Sequence, residues 1–298
     1  MFQGLVFDWA TVSAMLVLYL VLGAASAVVT WLGRASPSGT LRLQVNAWWR
    51  IFPVFSLAWA LYPWGPVLLL VLIAALAWRE LALHHSTAPQ RFQWACAALL
   101  VLQLLLVGAE VPGAMVLVPV LAVLQLLLWR WRPDRQRLLW LLFLLLCAGL
   151  AFVLQLDRLP VDTPVRRAWF FYLFAVTALN DVAQFISGKS LGRHKIAKTI
   201  SPNKTWAGLA GGVLVSALVS LALGLHLQLA PAPFLLMLGV LLSLAGFLGD
   251  LMFSAAKRFL GLKDFSNLIP GHGGILDRAD SLVLTAPLLY CVLRWSLY

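Results

Sequence analysis

Long runs of apolar residues, broken only by short polar segments, make up almost the whole chain. Of its 298 residues, 62% are hydrophobic and only 11% are charged. A water-soluble domain does not need so much apolar surface, so these runs predict helices that cross a lipid bilayer. The predicted fold class is therefore an all-α integral membrane protein.

The apolar runs predict about ten transmembrane helices. Proline-containing segments at 63–66 and 229–233 separate neighbouring runs. The first run lacks the basic leader of a cleaved signal peptide, so we expect it to remain as a helix. The predicted spans are 10–32, 48–62, 64–79, 92–107, 112–129, 138–156, 167–187, 207–228, 233–250 and 282–298.

The charge distribution predicts how these helices are oriented. The net charge is +11, from 22 Lys and Arg against 11 Asp and Glu. In a membrane protein, such an excess reflects the positive-inside rule and attraction to anionic lipid or phosphate, so we expect no nucleic-acid partner. When the spans alternate in direction, most basic residues fall on one side. This predicts that both termini are outside and that two long loops, 188–206 and 251–281, are cytoplasmic.

Two acidic residues stand near the ends of predicted spans, Asp181 in the seventh and Asp250 in the ninth. An acid at membrane depth is energetically costly, so its presence indicates a functional role. The alternative is that either residue ends its helix and meets water at the interface. For Asp181 both interpretations stay open. Asp250, Ser254, Lys257 and Arg258 recur at helical spacing on one face. A carboxylate can hold a cation, and the hydroxyl and basic groups can hold phosphate oxygens, so this face suits an anionic group with a metal ion.

The segment that leads into the last span repeats this chemistry. Asp277 and Asp280 are three residues apart and could share a divalent cation, and Ser281 lies one turn after Asp277. Acids at a helix N-terminus are also ordinary caps, an alternative that applies more readily to Asp280 than to Asp277. The preceding glycines, including Gly273 and Gly274, permit positive φ and could form an anion-binding nest.

The polar segment before the eighth span predicts a helix N-terminus close to a lysine. Ser201 or Thr205 can cap this helix beside Lys204, at the positive end of its dipole. Gly208 and Gly212 form a pair of small residues that permits close packing against another helix.

The stretch SAAKRFLGLKDFSNLIPGHGGILDRADS at 254–281 resembles the signature of the phosphatidate cytidylyltransferases, which make CDP-diacylglycerol. SPNKTW at 201–206 and GDL at 249–251 are also similar to that family's pattern. The resemblance covers about residues 170–298. It divides the chain into N-terminal membrane helices, 1–165, and a catalytic membrane domain, 166–298.

This resemblance implies a reaction in which CTP and phosphatidic acid give CDP-diacylglycerol and pyrophosphate, at the cytoplasmic face of a bacterial inner membrane. It implies Mg²⁺ held by Asp250 and Asp277, a second cation such as K⁺, and a homodimer. The implied catalytic residues are Asp250, Asp277, Lys257, Arg258 and Asp280. The implied substrate-binding residues are Ser201, Asn203, Lys204, Thr205, Ser254, Lys263, Asp264, His272, Gly273, Gly274, Arg278, Ser281 and Asp181.

The sequence departs from the family pattern at Phe253 and Ala207, where Glu is usual, and at Gln184, where Gly is common. Three alternatives therefore stay open: a cytidylyltransferase acting on another lipid phosphate, a lipid transporter, and a non-catalytic member of the family. A transporter and a non-catalytic member would release no pyrophosphate from CTP, which separates both from an enzyme. A panel of lipid phosphates assayed with labelled CTP separates the alternative lipid substrate.

Overall fold

The computed structural model describes residues 8–33, 40–85, 89–108, 134–269 and 273–297, with four helical positions between 120 and 127. Most of the predicted span 112–129 lies outside the described residues, as does His272. The described chain is mainly helical. Its elements are α1 (Trp9–Gly33), α2 (Thr40–Ala60), α3 (Trp64–Leu83), α4 (Pro89–Gly108), α5 (Arg135–Gln155), a 3₁₀ turn (Leu156–Arg158), α6 (Thr163–Leu191), β1 (Lys195–Ala197), β2 (Ser201–Thr205), α7 (Trp206–His226), α8 (Ala232–Phe259), α9 (Leu276–Ala279) and α10 (Leu282–Ser296).

Six of the described helices are long and apolar enough to cross a membrane. These helices confirm the prediction of a membrane protein but not the count of ten spans. Among the helices that fall short, α2 contains Pro53 and two arginines, and α10 has only 15 residues. The six candidate spans are Trp9–Trp31, Trp64–Leu83, Arg135–Arg158, Thr163–Leu191, Trp206–His226 and Ala232–Phe259.

Helix α8 continues nine residues beyond the predicted end at 250, so the loop expected over 251–281 begins only after Phe259. Between Asp250 and Phe259 the chain has no Gly or Pro that would end a helix. The helix stops where Gly261 takes a φ of 71°, and the N–H of Leu262 donates to the carbonyl of Lys257 at 2.8 Å. This is the usual glycine-terminated helix end.

A short β-hairpin corrects the all-α prediction. Strands β1 and β2 pair antiparallel, with Lys195 opposite Thr205 and Ala197 opposite Ser201. The hairpin forms where α6 has ended and α7 has not begun, and Thr205 caps α7 by accepting a hydrogen bond from the N–H of Gly208 at 3.0 Å. Because Thr205 is both the last residue of β2 and the cap of α7, the hairpin is fixed to the start of that helix. Lys204, the residue before the cap, is thereby placed beside α8.

The closest helix packing joins α6 to α7 and α7 to α8, and α10 packs against α5 and α8. A Cβ atom on Gly208 would lie 2.9 Å from the carbonyl oxygen of Gln184, and one on Gly212 would overlap the Gln184 side chain. This close approach confirms the predicted small-residue contact. The first half of the chain meets the signature segment through α3, which packs against α5 and the short helix α9.

Candidate active site

One face of α8 carries the four polar residues that the sequence placed together. Ser254 Oγ donates to Asp250 Oδ1 at 3.1 Å, and Lys257 Nζ lies 2.6 Å from Asp277 Oδ1. Arg258 Nε donates to the carbonyl of Ile200 at 3.1 Å, which joins the end of α8 to the hairpin turn. Because α8 continues to Phe259, all four residues lie on a single helix, as their spacing predicted.

The hairpin brings a lysine onto the carboxylate of Asp250. Lys204 Nζ lies 2.7 Å from Asp250 Oδ2, and the Asp250 side chain remains 37% exposed while that of Lys204 is 10% exposed. The same ammonium group stands 4.4 Å from the centre of the Phe247 ring. Residues 201–205 and 250–258, far apart in sequence, therefore meet at one place. The exposed side of Asp250 leaves this carboxylate accessible to a ligand.

Asp277 is held in a buried set of donors. Its side chain is 3% exposed and that of its partner Lys257 is 11% exposed. Asp277 Oδ2 accepts hydrogen bonds from the N–H groups of Phe265 at 3.2 Å and Gly274 at 2.8 Å. Gly273, at a φ of 82°, confirms the predicted positive φ, and a Cβ there would lie 2.7 Å from Asp277 Oδ2. The glycine-rich backbone thus binds an anion that belongs to the protein itself.

A second group of acids gathers beside Asp250. Ser281 Oγ donates to both carboxylate oxygens of Asp181 at 3.2 Å, and the N–H of Ser281 donates to Asp280 Oδ1 at 2.8 Å. Burial raises the pKa of the Asp280 carboxyl well above its usual range, and the nearby charges of Asp250 and Asp181 raise that pKa further. Three acids from separate segments therefore share one electrostatic environment, in which a bound cation would relieve their repulsion.

A buried polar network supports Asp181, and the sequence did not indicate it. Asn180 Oδ1 accepts from Gln184 Nε2 at 3.1 Å, Ser216 Oγ at 3.1 Å and Ser243 Oγ at 2.6 Å. Asn180 Nδ2 lies 3.4 Å from Asp181 Oδ1. Asn180, Ser216 and Ser243 are polar residues inside the apolar helices α6, α7 and α8. Such residues need hydrogen-bond partners within the bundle, so their presence in the sequence could have indicated this network.

Glu80, on α3, is a second group that the sequence did not indicate, because the predicted third span ended at 79 and left this acid outside the membrane. It is buried and accepts three hydrogen bonds from the signature segment, from Ser266, Ile275 and Leu276.

The remaining predicted binding residues differ in how exposed they are. Thr205 is buried as the cap of α7, Ser201 is partly exposed, and Asn203, Lys263, Asp264 and Arg278 are exposed.

The carboxylate and hydroxyl oxygens of this region are ligands that suit Mg²⁺. Within the part of the chain that the structure describes, no group of three or more His, Cys, Asp or Glu residues is arranged to hold a metal ion. Mg²⁺ does not require such a cage, since it commonly binds one or two carboxylates together with substrate phosphates and water. The partly exposed carboxylate of Asp250, beside the hydroxyl of Ser254, is suited to this role.

The arrangement combines acids for a cation with lysines for an anion at the ends of apolar helices. Lys204 and Lys257 each stand within 2.7 Å of a carboxylate. An ammonium group is also a common ligand of phosphate oxygens. Chemistry that needs mainly positioning and charge neutralisation, such as the transfer of a nucleotidyl group, suits these groups.

Comparison with known proteins agrees with this chemistry. Residues 42–296 match the profile of the Cytidylyltransferase family, so the match extends beyond the region 170–298 in which the resemblance was recognised. The Escherichia coli (strain K12) protein called Uncharacterized protein YnbB is 32% identical over 307 residues, covering 97% of this chain and 98% of that protein.

Two further relatives carry the name Phosphatidate cytidylyltransferase. The protein from Brucella suis is 37% identical over 229 residues, covering 72% of this chain and 77% of the relative. The protein from Bacillus subtilis is 44% identical over 126 residues, covering 42% of this chain and 47% of the relative. Because the family profile matches most of its length, this chain belongs to the cytidylyltransferase family.

Proposed function

We propose that this protein transfers the cytidylyl group of CTP to phosphatidic acid, forming CDP-diacylglycerol and releasing pyrophosphate. The observation that carries the proposal is the pair of acid–lysine contacts, Asp250 with Lys204 and Asp277 with Lys257, assembled from three segments. Family membership and the names of two relatives support the same reaction.

In the proposed reaction, a phosphate oxygen of phosphatidic acid attacks the α-phosphorus of CTP. A new P–O bond forms there while the bond between the α-phosphorus and the bridging oxygen to the β-phosphate breaks, and pyrophosphate leaves with that electron pair. The attacking phosphate is already ionised near neutral pH, so no strong general base is needed. Lys204, Lys257, Arg258 and Arg278 hold and orient the phosphates of CTP and of the lipid.

The cation of this proposal is Mg²⁺, bound by Asp250 and by one acid of the segment 277–281. Asp277 is the ligand that the family resemblance implies, whereas Asp280 is a buried acid of the same segment that has no lysine within 4.0 Å among the described residues. When bound, Mg²⁺ would neutralise phosphate oxygens as charge develops on them. Separate Asn variants of the two acids distinguish them, because only the ligand's variant raises the Mg²⁺ concentration needed for half-maximal turnover.

The setting of the proposal is a bacterial inner membrane with the site on the cytoplasmic side and both termini outside. The bias of basic residues supports this orientation, since loops rich in Lys and Arg stay in the cytoplasm. The acyl chains of the lipid then remain in the bilayer while its phosphate reaches the site. K⁺ as a second cation and a homodimer complete the proposal. Turnover in K⁺ against Na⁺ buffers, and the mass of the protein in detergent, test these two points.

The experiment measures pyrophosphate released by the purified protein in detergent, with and without phosphatidic acid and Mg²⁺. Wild-type protein releases pyrophosphate only when both are present. Asp250→Asn lowers turnover by about a hundredfold or more, because the charge of a cation ligand is lost. Asp162→Asn, an exposed residue whose side chain makes no capping hydrogen bond, is the matched control and keeps wild-type turnover.

Two results would contradict the proposal. Near-normal turnover by Asp250→Asn would remove this site from the chemistry. Release of pyrophosphate that is greater with another lipid phosphate than with phosphatidic acid would assign a different lipid substrate. The same assay is therefore run with a panel of lipid phosphates that differ in backbone and chain.

A further inference from the structure

Glu80 stands where an acid is unexpected, near the C-terminal end of the apolar helix α3 and far in sequence from every residue of the site. It is only 3% exposed. Among the described residues, its carboxylate has hydrogen-bond donors but no ion-pair partner within 4.0 Å. A buried carboxylate is costly unless its oxygens are satisfied, so the donors that satisfy it indicate its role.

All three donors to Glu80 belong to the segment that leads to Asp277. Ser266 Oγ donates to Glu80 Oε1 at 2.6 Å, the N–H of Ile275 to Oε1 at 2.7 Å, and the N–H of Leu276 to Oε2 at 3.1 Å. The carboxylate therefore joins the two ends of the segment 266–276 to each other and to α3. A negative group beside the first N–H groups of α9 also stabilises that turn.

The contacts of Glu80 and Asp277 use consecutive backbone groups. Asp277 Oδ2 accepts from the N–H of Gly274, and Glu80 accepts from the next two N–H groups along the chain. A Cβ on Gly274 would overlap the Glu80 carboxylate, so glycine is required there for the carboxylate to approach. Displacement of the Glu80 contacts would therefore shift the backbone that fixes Asp277.

His84, the residue that follows the last residue of α3, reinforces the same connection. Its Nε2 lies 2.8 Å from the carbonyl oxygen of Phe265, and the N–H of Phe265 donates to Asp277 Oδ2. Helix α3 thus contacts both chain segments whose N–H groups hold Asp277. We propose that Glu80 is a positioning residue, which acts through Ser266, Ile275 and Leu276 to hold Asp277 and its partner Lys257 in the geometry used for turnover. This inference rests on the proposed function.

The test compares Glu80→Gln with wild-type protein by hydrogen–deuterium exchange and by kinetics. Glutamine keeps the size of the side chain, but its NH₂ group faces a backbone donor, so one N–H loses its acceptor. Exchange in peptides that cover 273–281 then rises by roughly tenfold or more, while a peptide from α7 stays unchanged. Gly274→Ala gives the same increase, because its methyl group displaces the carboxylate. Leu83→Ala, an exposed residue on the same helix, is the matched control and changes neither region.

The kinetic measurement separates positioning from a general effect on stability. A residue that only stabilises the fold changes the amount of folded protein, not the turnover of each folded molecule. We expect the kcat of folded Glu80→Gln to fall by roughly tenfold or more and its Mg²⁺ requirement to rise. Faster exchange at 273–281 with unchanged kcat would refute the positioning role, and unchanged exchange would refute the contact. Wild-type protein without pyrophosphate release would refute the proposed function instead, and the exchange experiment would still decide whether Glu80 holds the segment.

Discussion

The contact between Lys257 and Asp277 gives the most direct test of how the site is held together. The two charged atoms are 2.6 Å apart, and the side chains are 11% and 3% exposed. Removing one partner of a buried ion pair leaves the other charge without compensation, which costs about 3–5 kcal/mol. Lys257→Met and Asp277→Asn should therefore each lower the free energy of unfolding by about that amount.

The double variant should lose far less than the sum of the two single losses. With both charges removed, the side-chain carbonyl oxygen that Asp277→Asn introduces can still accept the N–H groups of Phe265 and Gly274, and no buried charge remains. We expect a coupling free energy of about 2–3 kcal/mol. Reversible unfolding in mixed detergent measures it, and pyrophosphate release should be strongly reduced in all three variants relative to wild-type protein. Losses that add to within about 0.5 kcal/mol would refute the reasoning, since independent residues behave in that way.

Three further outcomes follow from other contacts. Lys204→Gln should raise the KM for CTP and reduce turnover less than Asp250→Asn does, because other cations still contact the phosphates. Unchanged kinetics would show that Lys204 does not belong to the site. Gly208→Val should destabilise the protein by about 1–3 kcal/mol through overpacking, measured by thermal unfolding. Gly23→Ala, with no atom within 4 Å of the added carbon, should be neutral or stabilising. Burial and the hydrogen bond to Asp157 raise the pKa of Tyr62, so the unfolded chain loses this proton first. Stability should then fall above about pH 10, and Tyr62→Phe should remove that fall.

Local pattern predicted the parts of the site that lie on one element. The spacing of Asp250, Ser254, Lys257 and Arg258 placed them on one helical face, and the structure has them on α8. The predicted role of glycine at 273 also holds, because positive φ is a property of a single residue. These predictions required no knowledge of how distant segments pack.

Partners from distant segments could not be predicted in the same way. The sequence suggested a cation between Asp250 and Asp277, whereas each acid has a lysine beside it, Lys204 on the hairpin and Lys257 on α8. The contact of Lys204 with Asp250 depends on the hairpin between α6 and α7, and that of Lys257 with Asp277 depends on how α9 packs beside α8. Helical periodicity contains no information about either arrangement. The ends of helices were uncertain for the same reason, since tertiary contacts and caps decide them.

Glu80 shows how an error in one helix boundary removed a residue from consideration. An acid within an apolar span defaults to a functional hypothesis, and this rule selected Asp181 and Asp250. The predicted third span ended at 79, so Glu80 fell one residue outside it and was not considered for the site. The structure continues α3 to Leu83, which places Glu80 inside the helix, buried and bonded to the backbone before Asp277. Neighbouring side chains point in different directions from the same helix, so an arginine can face water while the acid after it faces the protein interior. A predicted span that ends at an arginine followed by an acid should therefore be extended by one turn before both residues are taken as solvent-exposed.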